Sequence, residues 1–493
     1  MPRPAIERAP VAIAIIGALL RLVLAFRDPI AIDRLFMPDD AYYTLAIARS
    51  IARGHGPTVD GVHLTNGFQP LVAFLLVPFA TVRAALVIGA LADGVTTWCL
   101  ARLAQRLAPA GQPEIAAIAA ASVWALSPSA IATSMNGLET SLAIACLAGA
   151  LLAFEARSAW VGVVLGLCLL ARVDSVFFVG AMGIAMLRRD GARRTAAQAG
   201  FAAIVVAPWW LYELARFGTV VPESGSAVRE QAMMYRDAGM VVRDQIAWAT
   251  GAVFGPPLVD VTPLRQFLGG TASGVGMALG LVLVAGALYL LWKRPPAALA
   301  VLTVHALCIF LFYALIVPAT WFFRRYLVPV HLLVALLVAI RVRRRRAWLV
   351  WPAIAVASFA PFYFVRPSIT PDQGHHGAKG YYAPTRDILA HVPKRETVIG
   401  SLQSGALSWQ AGAGMRVLNL DGVVDGEARR ALEEGRLAQF ARDQHMEYFA
   451  DWDVNLKRFQ ERAGPNPPTF TRLYEAEPQG KDERFVLYEV TWP

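Results

Sequence analysis

Met37-Pro38-Asp39-Asp40-Ala41-Tyr42-Tyr43 follows closely on the apolar run Val11–Phe26. Two adjacent carboxylates beside a membrane segment are costly unless they are solvated or used. They open a loop over residues 28–70 that passes Gly54-His55-Gly56 and reaches Thr65-Asn66-Gly67-Phe68. Val11–Phe26 has the length of a signal-peptide core. No small-residue cleavage site stands before Asp39 and further apolar runs follow, so it reads as an uncleaved first span.

Composition points the same way. Of 493 residues 56% are hydrophobic and only 17% are charged. A soluble chain of this size needs charge over most of its surface. The expected class is therefore an all-α polytopic membrane protein, with the lipid bilayer as its first partner. The net charge of +10 does not signal nucleic acid, because the basic residues sit at span ends, where the positive-inside rule expects them. Cys99, Cys146, Cys168 and Cys308 all fall inside apolar runs, without metal-ligand spacing, and read as small core residues. His55, His63, His375 and His376 show no zinc spacing and read as solvated loop residues.

A span needs about 20 apolar residues. Eleven candidates result: 10–27, 84–103, 114–134, 137–156, 158–171, 174–188, 196–215, 272–292, 296–316, 327–340 and 347–365. Eleven crossings place every basic cluster on one side: Arg3 and Arg8, Arg102 and Arg106, Arg188 to Arg194, Lys293 and Arg294, and Arg341 to Arg346. The apolar piece Gln69–Ala80, bounded by Pro70 and Pro78, must then lie in or on the membrane without crossing. The opposite face collects the loop 28–70, the turns Ser134–Glu139 and Arg172–Asp174, a long loop Arg216–Thr271, the segment Pro318–Tyr326 and everything after residue 365.

From Arg366 the apolar runs shorten and charges rise. Strands are expected at Glu396–Ser401, Met415–Leu420 and Met446–Ala450, with a closing hairpin of Arg472–Glu475 and Arg484–Val490. Helical patterns fall at Gly405–Gln410 and Gly426–His445. The alternation predicts a small C-terminal α/β domain, residues 366–493, behind a membrane domain of residues 1–365. The Gly400–Gly405 turn is suited to a phosphate but reads better as a plain structural turn.

Four motifs carry candidate chemistry. Asp39 and Asp40 suit a helix N-cap or a general base that takes a proton from a hydroxyl, with Tyr42 and Tyr43 beside them. Glu139 suits either the helix dipole or a shared cavity. Arg172 and Asp174 suit a local pair or a cavity contact. Arg324, Arg325 and Tyr326 suit either an interfacial belt or a lipid-linked phosphate, which arginine can hold bidentately.

In order and topology these motifs resemble bacterial GT-C class glycosyltransferases, the polyprenyl-phosphate-sugar-dependent enzymes related to protein mannosyltransferases, aminoarabinose transferases and arabinofuranosyltransferases. The resemblance rests on Asp39-Asp40-Ala41-Tyr42-Tyr43, Thr65-Asn66-Gly67-Phe68-Gln69-Pro70, Gly137-Leu138-Glu139-Thr140, Ala171-Arg172-Val173-Asp174, Pro208-Trp209-Trp210, Arg325-Tyr326-Leu327-Val328-Pro329 and Asn419-Leu420-Asp421-Gly422. It implies a GT-C-like membrane domain of about 11 helices in a bacterial inner membrane, with the N-terminus cytoplasmic and the α/β domain periplasmic. It implies transfer of a sugar, with inversion, from a polyprenyl-phosphate donor to a glycolipid or cell-envelope glycan. Asp39 or Asp40 would be the base. Tyr42, Tyr43, Asn66, Glu139, Arg172, Asp174, Arg324, Arg325 and Tyr326 would contact substrate. The outer loops lack a clear D-x-D, so a divalent cation, Mg or Mn, is left open. The rival readings are a flippase for a lipid-linked sugar, which needs midplane ionisable residues such as Asp93, and a non-catalytic envelope scaffold.

Overall fold

Apolar side chains that face outward decide how this chain can be solvated. In the protein's computed structural model, helix α1 (Pro4–Ala25) turns Val11, Ile15, Ile16, Leu19, Leu20 and Val23 away from the protein. Helix α5 (Val82–Leu107) does the same with Leu91, Val95 and Trp98. A contiguous apolar surface of this kind is unstable in water and suits lipid. The structure describes residues 4–237, 242–258, 271–317, 323–342, 380–477 and 484–493. Among them, four helices are long and apolar enough to cross a membrane by length and composition: Arg8–Ala25, Val82–Leu107, Gly274–Trp292 and Ala297–Ile316. The protein is thus a multi-pass membrane protein.

Between α1 and α5 the first loop folds into α2 (Pro29–Phe36), α3 (Asp39–Ala52) and α4 (Pro70–Leu76), the last extended by a 3₁₀ turn at Val77–Phe79. At 1.5 Å per residue this ten-residue piece spans about 15 Å, half a hydrocarbon core, so it is too short to cross. Then come α6 (Pro113–Ala125), α7 (Pro128–Ser134), α8 (Thr140–Glu155), α9 (Val161–Ala171), α10 (Val176–Asp190) and α11 (Ala192–Phe217). The expected single span 114–134 is two helices. Pro128 cannot donate to the preceding turn, and Ser127 caps the new start by accepting from Ala130 N.

The expected loop 216–271 contains two helices, α12 (Glu223–Asp237) and α13 (Val242–Leu258). Helix α13 packs along α14 (Thr271–Trp292) so tightly that a Cβ on Gly276 would lie 2.7 Å from the Ala247 Cβ. The membrane part continues through α15 (Ala297–Leu311), a π turn at Phe312–Ile316, the single turn α16 (Phe323–Tyr326) and α17 (Val328–Arg341). The expected span 347–365, the basic run 343–346, and His375 and His376 lie outside the described residues.

One buried polar cluster ties the first helices together. Arg21 Nε lies 2.8 Å from Asp93 Oδ2, while Arg21 also donates to Gly17 O, Ala125 O and Ser134 Oγ. Trp124 Nε1 donates to Asp93 Oδ1 at 2.9 Å. Asp93, the deep acid of the sequence, is therefore a strut joining α1, α5, α6 and α7. Helices α5 and α7 approach so closely that a Cβ on Gly89 would sit 2.1 Å from the Ser134 carbonyl oxygen.

The C-terminal part begins with α18 (Tyr382–Ala390) and continues β1 (Thr397–Ser401), α19 (Gly405–Gln410), β2 (Met415–Asn419), α20 (Gly426–Glu433), α21 (Leu437–Asp443), β3 (Tyr448–Trp452), α22 (Asp453–Arg462), β4 (Thr469–Glu475) and β5 (Phe485–Thr491). The sheet order is β2-β1-β3-β5-β4. Strand β1 is parallel to both β2 and β3, and the β4–β5 hairpin adds antiparallel to β3. This is the small α/β unit expected, with α18 and α22 added and the 426–445 helix broken at Gly435.

Removing Arg21 leaves Asp93 as an uncompensated buried charge, a loss of about 3–5 kcal/mol. Arg21→Ala should lower the thermal midpoint in detergent clearly, as should Gly89→Ala through the backbone clash. An unchanged midpoint in Arg21→Ala would remove the strut role.

Candidate active site

Five consecutive backbone amides in the turn between β1 and α19 point at protein acceptors. Leu402 N and Gln403 N donate to Asp451 Oδ2, at 2.7 and 3.1 Å. Ser404 N donates to the Tyr43 hydroxyl, at 3.1 Å. Gly405 N and Ala406 N donate to Asp39 Oδ2 and Oδ1, each at 2.8 Å. The turn suited to a phosphate is filled by two carboxylates and a phenol. The plain structural reading of that turn holds.

Asp39 is accordingly the anchor that seats the C-terminal domain on the first loop. Its carboxylate takes the two first amides of α19, where unpaired N–H groups and the helix dipole favour an anion. At the other end of α19, Arg49 donates to Ser408 O and Trp409 O, at 3.0 and 2.8 Å, and stacks on the Trp409 ring. Helix α3 thus lies beside α19 with an acid at its N-terminus and a base at its C-terminus. The contact is so close that a Cβ on Gly405 would meet the Asp39 carbonyl oxygen at 2.2 Å.

A second carboxylate repeats the arrangement. Asp33 Oδ2 accepts from Tyr381 N and Tyr382 N at the start of α18, and Asp33 Oδ1 accepts from the Tyr42 hydroxyl at 2.5 Å. The Tyr43 hydroxyl also meets Ser404 Oγ and accepts from Asn419 Nδ2 at 3.0 Å. Tyr42 and Tyr43, expected at substrate, are thus buried in this seam. Asn66 is likewise buried. It donates to Glu213 Oε1 and Val221 O and accepts from Glu223 N, which joins the end of the loop to α11 and α12.

Asp40 points the other way. Its Oδ2 accepts from Arg325 Nη2 at 2.7 Å, with the carboxylate side chain 26% exposed. Arg325 also donates to the Tyr326 hydroxyl and lies over that ring, 5.0 Å from its centroid. Tyr326 stacks on Tyr313 with centroids 4.4 Å apart, and the Arg172 guanidinium lies 4.7 Å from the Tyr326 centroid. Arg172 then reaches Glu139 Oε1 at 2.7 Å and both Asp174 oxygens, at 3.0 and 2.5 Å. The Tyr313 hydroxyl donates to Asp174 Oδ2 at 2.7 Å. Glu139, Arg172, Asp174, Tyr326, Arg325 and Asp40 therefore form one continuous network from four separate stretches of chain. Arg172 spends its donors on two carboxylates. Arg325 faces the partly exposed one. The side chain of Arg324 lies outside the described residues.

Residues to which the sequence assigned no role at the site complete this picture. Tyr313 and His305 lie inside an apolar span, where polar groups signal use. His305 is buried, edge-on to Phe178. Asp33 and Arg49 gave no pattern that distinguishes a domain clamp from a solvated helix face. Asp421 follows the Asn419 that holds Tyr43. Burial lifts its carboxyl to about 7, and the neighbouring Asp40 charge adds to the shift. His63, expected to be solvated, instead lies between Asp60 and Asp425.

No family model matches the chain, and no curated protein sequence matches it. Solved structures do. The ArnT of Cupriavidus metallidurans, crystallised with undecaprenyl phosphate, superposes with a TM-score of 0.56 over 96% of this chain and 97% of its own, at 13% identity. The Archaeoglobus fulgidus oligosaccharyltransferase in its apo form gives 0.54 at 13% identity, over 93% of this chain and 71% of its own. The same enzyme in complex with Zn and sulfate gives 0.52. The likeness is one of fold: the chain shares the fold of these two membrane enzymes.

The docking seam has a defined pH response. Burial lifts the Asp39 carboxyl to about 7 and that of Asp33 to about 6, against the pull of their N–H donors. An exposed aspartate titrates near about 3.9. The docked state therefore holds protons that the undocked state releases, so docking should strengthen as pH falls from about 7 towards about 4 and level off at its weakest above about 7. Limited proteolysis of the C-terminal domain across this range should show the trend. Asp39→Asn should reduce it to the smaller part carried by Asp33 and weaken docking by about 1.5–3 kcal/mol, the worth of a charged hydrogen bond. Equal protection of wild type and variant at every pH would refute the seam.

Proposed function

We propose that this GT-C-fold chain is a membrane glycosyltransferase that moves a sugar from a polyprenyl-phosphate donor to a hydroxyl of a glycolipid or cell-envelope glycan. The observation that carries this reading is the Asp40–Arg325 pair, a partly exposed carboxylate and a guanidinium on top of a buried polar network. Asp39 is engaged by α19, which leaves Asp40 as the base of the two. Asp40 takes the proton of the acceptor hydroxyl. The acceptor oxygen attacks the anomeric carbon, and the bond from that carbon to the phosphate oxygen breaks. Its electron pair leaves on the polyprenyl phosphate, beside Arg325. A single displacement of this kind inverts the anomeric centre.

In the unliganded pair Arg325 holds Asp40. A donor phosphate competes for the same guanidinium and so releases the carboxylate as the donor seats. Glu139, Arg172 and Asp174 position the Tyr326 ring on which Arg325 rests. Arg324 joins Arg325 as a donor contact on this reading. The chain crosses a bacterial inner membrane about 11 times, with its N-terminus cytoplasmic and residues 366–493 periplasmic. No step is assigned to a divalent cation, Mg or Mn. The flippase reading asks for ionisable groups along a pathway, and Asp93 is committed to Arg21 and Trp124.

The test is transfer of radiolabelled sugar by membranes given a panel of polyprenyl-phosphate sugars. Wild type should move label from one donor into an extractable product. Asp40→Asn should lower the rate by about 10²–10⁴-fold, the usual contribution of a general base. Asp39→Asn should reduce transfer less, and in step with loss of docking. Arg325→Lys keeps the charge but loses the fork, and should raise the donor KM. Equal transfer by wild type and Asp40→Asn would remove Asp40 from the mechanism. No transfer from any donor by well-folded wild type would overturn the enzyme reading.

A further inference from the structure

The first loop and the C-terminal domain meet a second time, away from Asp40. Asp60 and His63 come from the loop, and Asp425 and Glu427 come from the start of α20. His63 Nδ1 lies 2.8 Å from Asp60 Oδ2 and 3.3 Å from Asp425 Oδ2. One ligand atom from each of these three side chains lies within 4.8 Å of the others. Ligand atoms on a zinc tetrahedron of about 2.1 Å bonds are about 3.4 Å apart, so the three stand close to a coordination edge already.

Backbone amides and one hydroxyl set the orientation of the two carboxylates. Asp60 Oδ1 is taken by Thr58 Oγ1, Val62 N and His63 N, at 3.0, 2.9 and 2.8 Å. Asp425 Oδ1 is taken by Glu427 N and Ala428 N, at 2.9 and 3.0 Å, as the cap of α20. Each carboxylate is thereby fixed with its second oxygen turned to the same imidazole nitrogen. On the far side of the ring, Nε2 lies 3.6 Å from Glu427 Oε2. Nδ1 is hydrogen-bonded to Asp60 Oδ2 at 2.8 Å, so a cation bound here takes the place of the proton between them, as metal binding to histidine and carboxylate ligands generally does.

We propose that Asp60, His63 and Asp425 form a divalent transition-metal site of zinc type that clips the C-terminal domain to the first loop. One imidazole and two carboxylates carry charge −2, which balances a dication, and a nitrogen-containing set favours zinc-class ions over magnesium. A water completes the tetrahedron. Asp425 also caps α20, so the clip fixes that helix and the Asp421-Gly422-Val423 turn just before it. The site does not depend on the sugar-transfer reading, since metal binding is read without any donor or acceptor.

The test uses the full-length protein in detergent, stripped with chelator and titrated with Co²⁺ and Zn²⁺. The expected result is one equivalent of Co²⁺ with the visible absorption of a tetrahedral site, displaced by Zn²⁺ but not by millimolar Mg²⁺. The C-terminal domain should become more resistant to protease as the metal binds. His63→Gln and Asp425→Asn should each weaken that binding at least 100-fold, while His391→Gln, at the exposed C-cap of α18, leaves it unchanged. Absence of the absorption band in folded wild type would overturn the proposal, even if a variant fails to fold. So would one equivalent of binding that survives both His63→Gln and Asp425→Asn. Protection that appears only with acid and never with metal would mean a proton bridges the three side chains, and would overturn it too.

Discussion

Everything that faces the candidate site depends on one carboxylate placed at the start of one short helix. Asp39 accepts both leading amides of α19 at 2.8 Å, and α3 carries Arg49 to the opposite end of that helix. A six-residue helix has little stability of its own. Here its unpaired ends are satisfied by a second helix from the other half of the chain. That fixes the C-terminal domain relative to α3, and with it the direction in which Asp40 points. Adjacent residues on a helix face about 100° apart, so seating Asp39 in the domain turns Asp40 towards Arg325.

The polar network beneath Asp40 is high in commitment. Arg172 bridges Glu139 and Asp174, Tyr313 donates to Asp174, and Tyr326 stacks on Tyr313 with two guanidinium groups against its ring. Ion pairs shielded from water cost desolvation, which is offset only when every donor and acceptor is used. This one uses nearly all of them. Such a platform is rigid, and rigidity is what a site must have if one guanidinium is to exchange a carboxylate for a phosphate without the rest moving.

Much of this was legible in the chain. The strands Thr397–Ser401, Met415–Asn419 and Tyr448–Trp452 stand close to where alternation placed them. Four of the expected spans, 10–27, 84–103, 272–292 and 296–316, coincide with helices long and apolar enough to cross, because lipid imposes a simple rule on length and hydropathy. Asp40, Glu139, Arg172, Asp174, Arg325 and Tyr326 were each singled out, and the structure brings them into one network. Their pairing was not legible, because it joins residues far apart in sequence. The division of labour within Asp39-Asp40 was hidden for the same reason, since the partners of Asp39 are backbone amides that any sequence would supply. His63 was misread as solvated because Asp425 approaches it only through the fold. The break at Pro128 was within reach of local rules, and was obscured by the continuous apolar run around it.

The π turn at Phe312–Ile316 has a consequence for how this chain can vary in length. Val317 N closes a wide loop on Phe312 O, so this turn holds one residue more than an α-helical turn would. That surplus residue sets the angle at which Tyr313 meets Asp174 and Tyr326. Loss of a single residue here would let the helix relax to its regular pitch and swing everything on one side by about 100°. The hydroxyl would leave the carboxylate while the span kept its apolar character and its place in the bilayer. In this segment the register of the helix, rather than the identity of its side chains, is what the site has at stake.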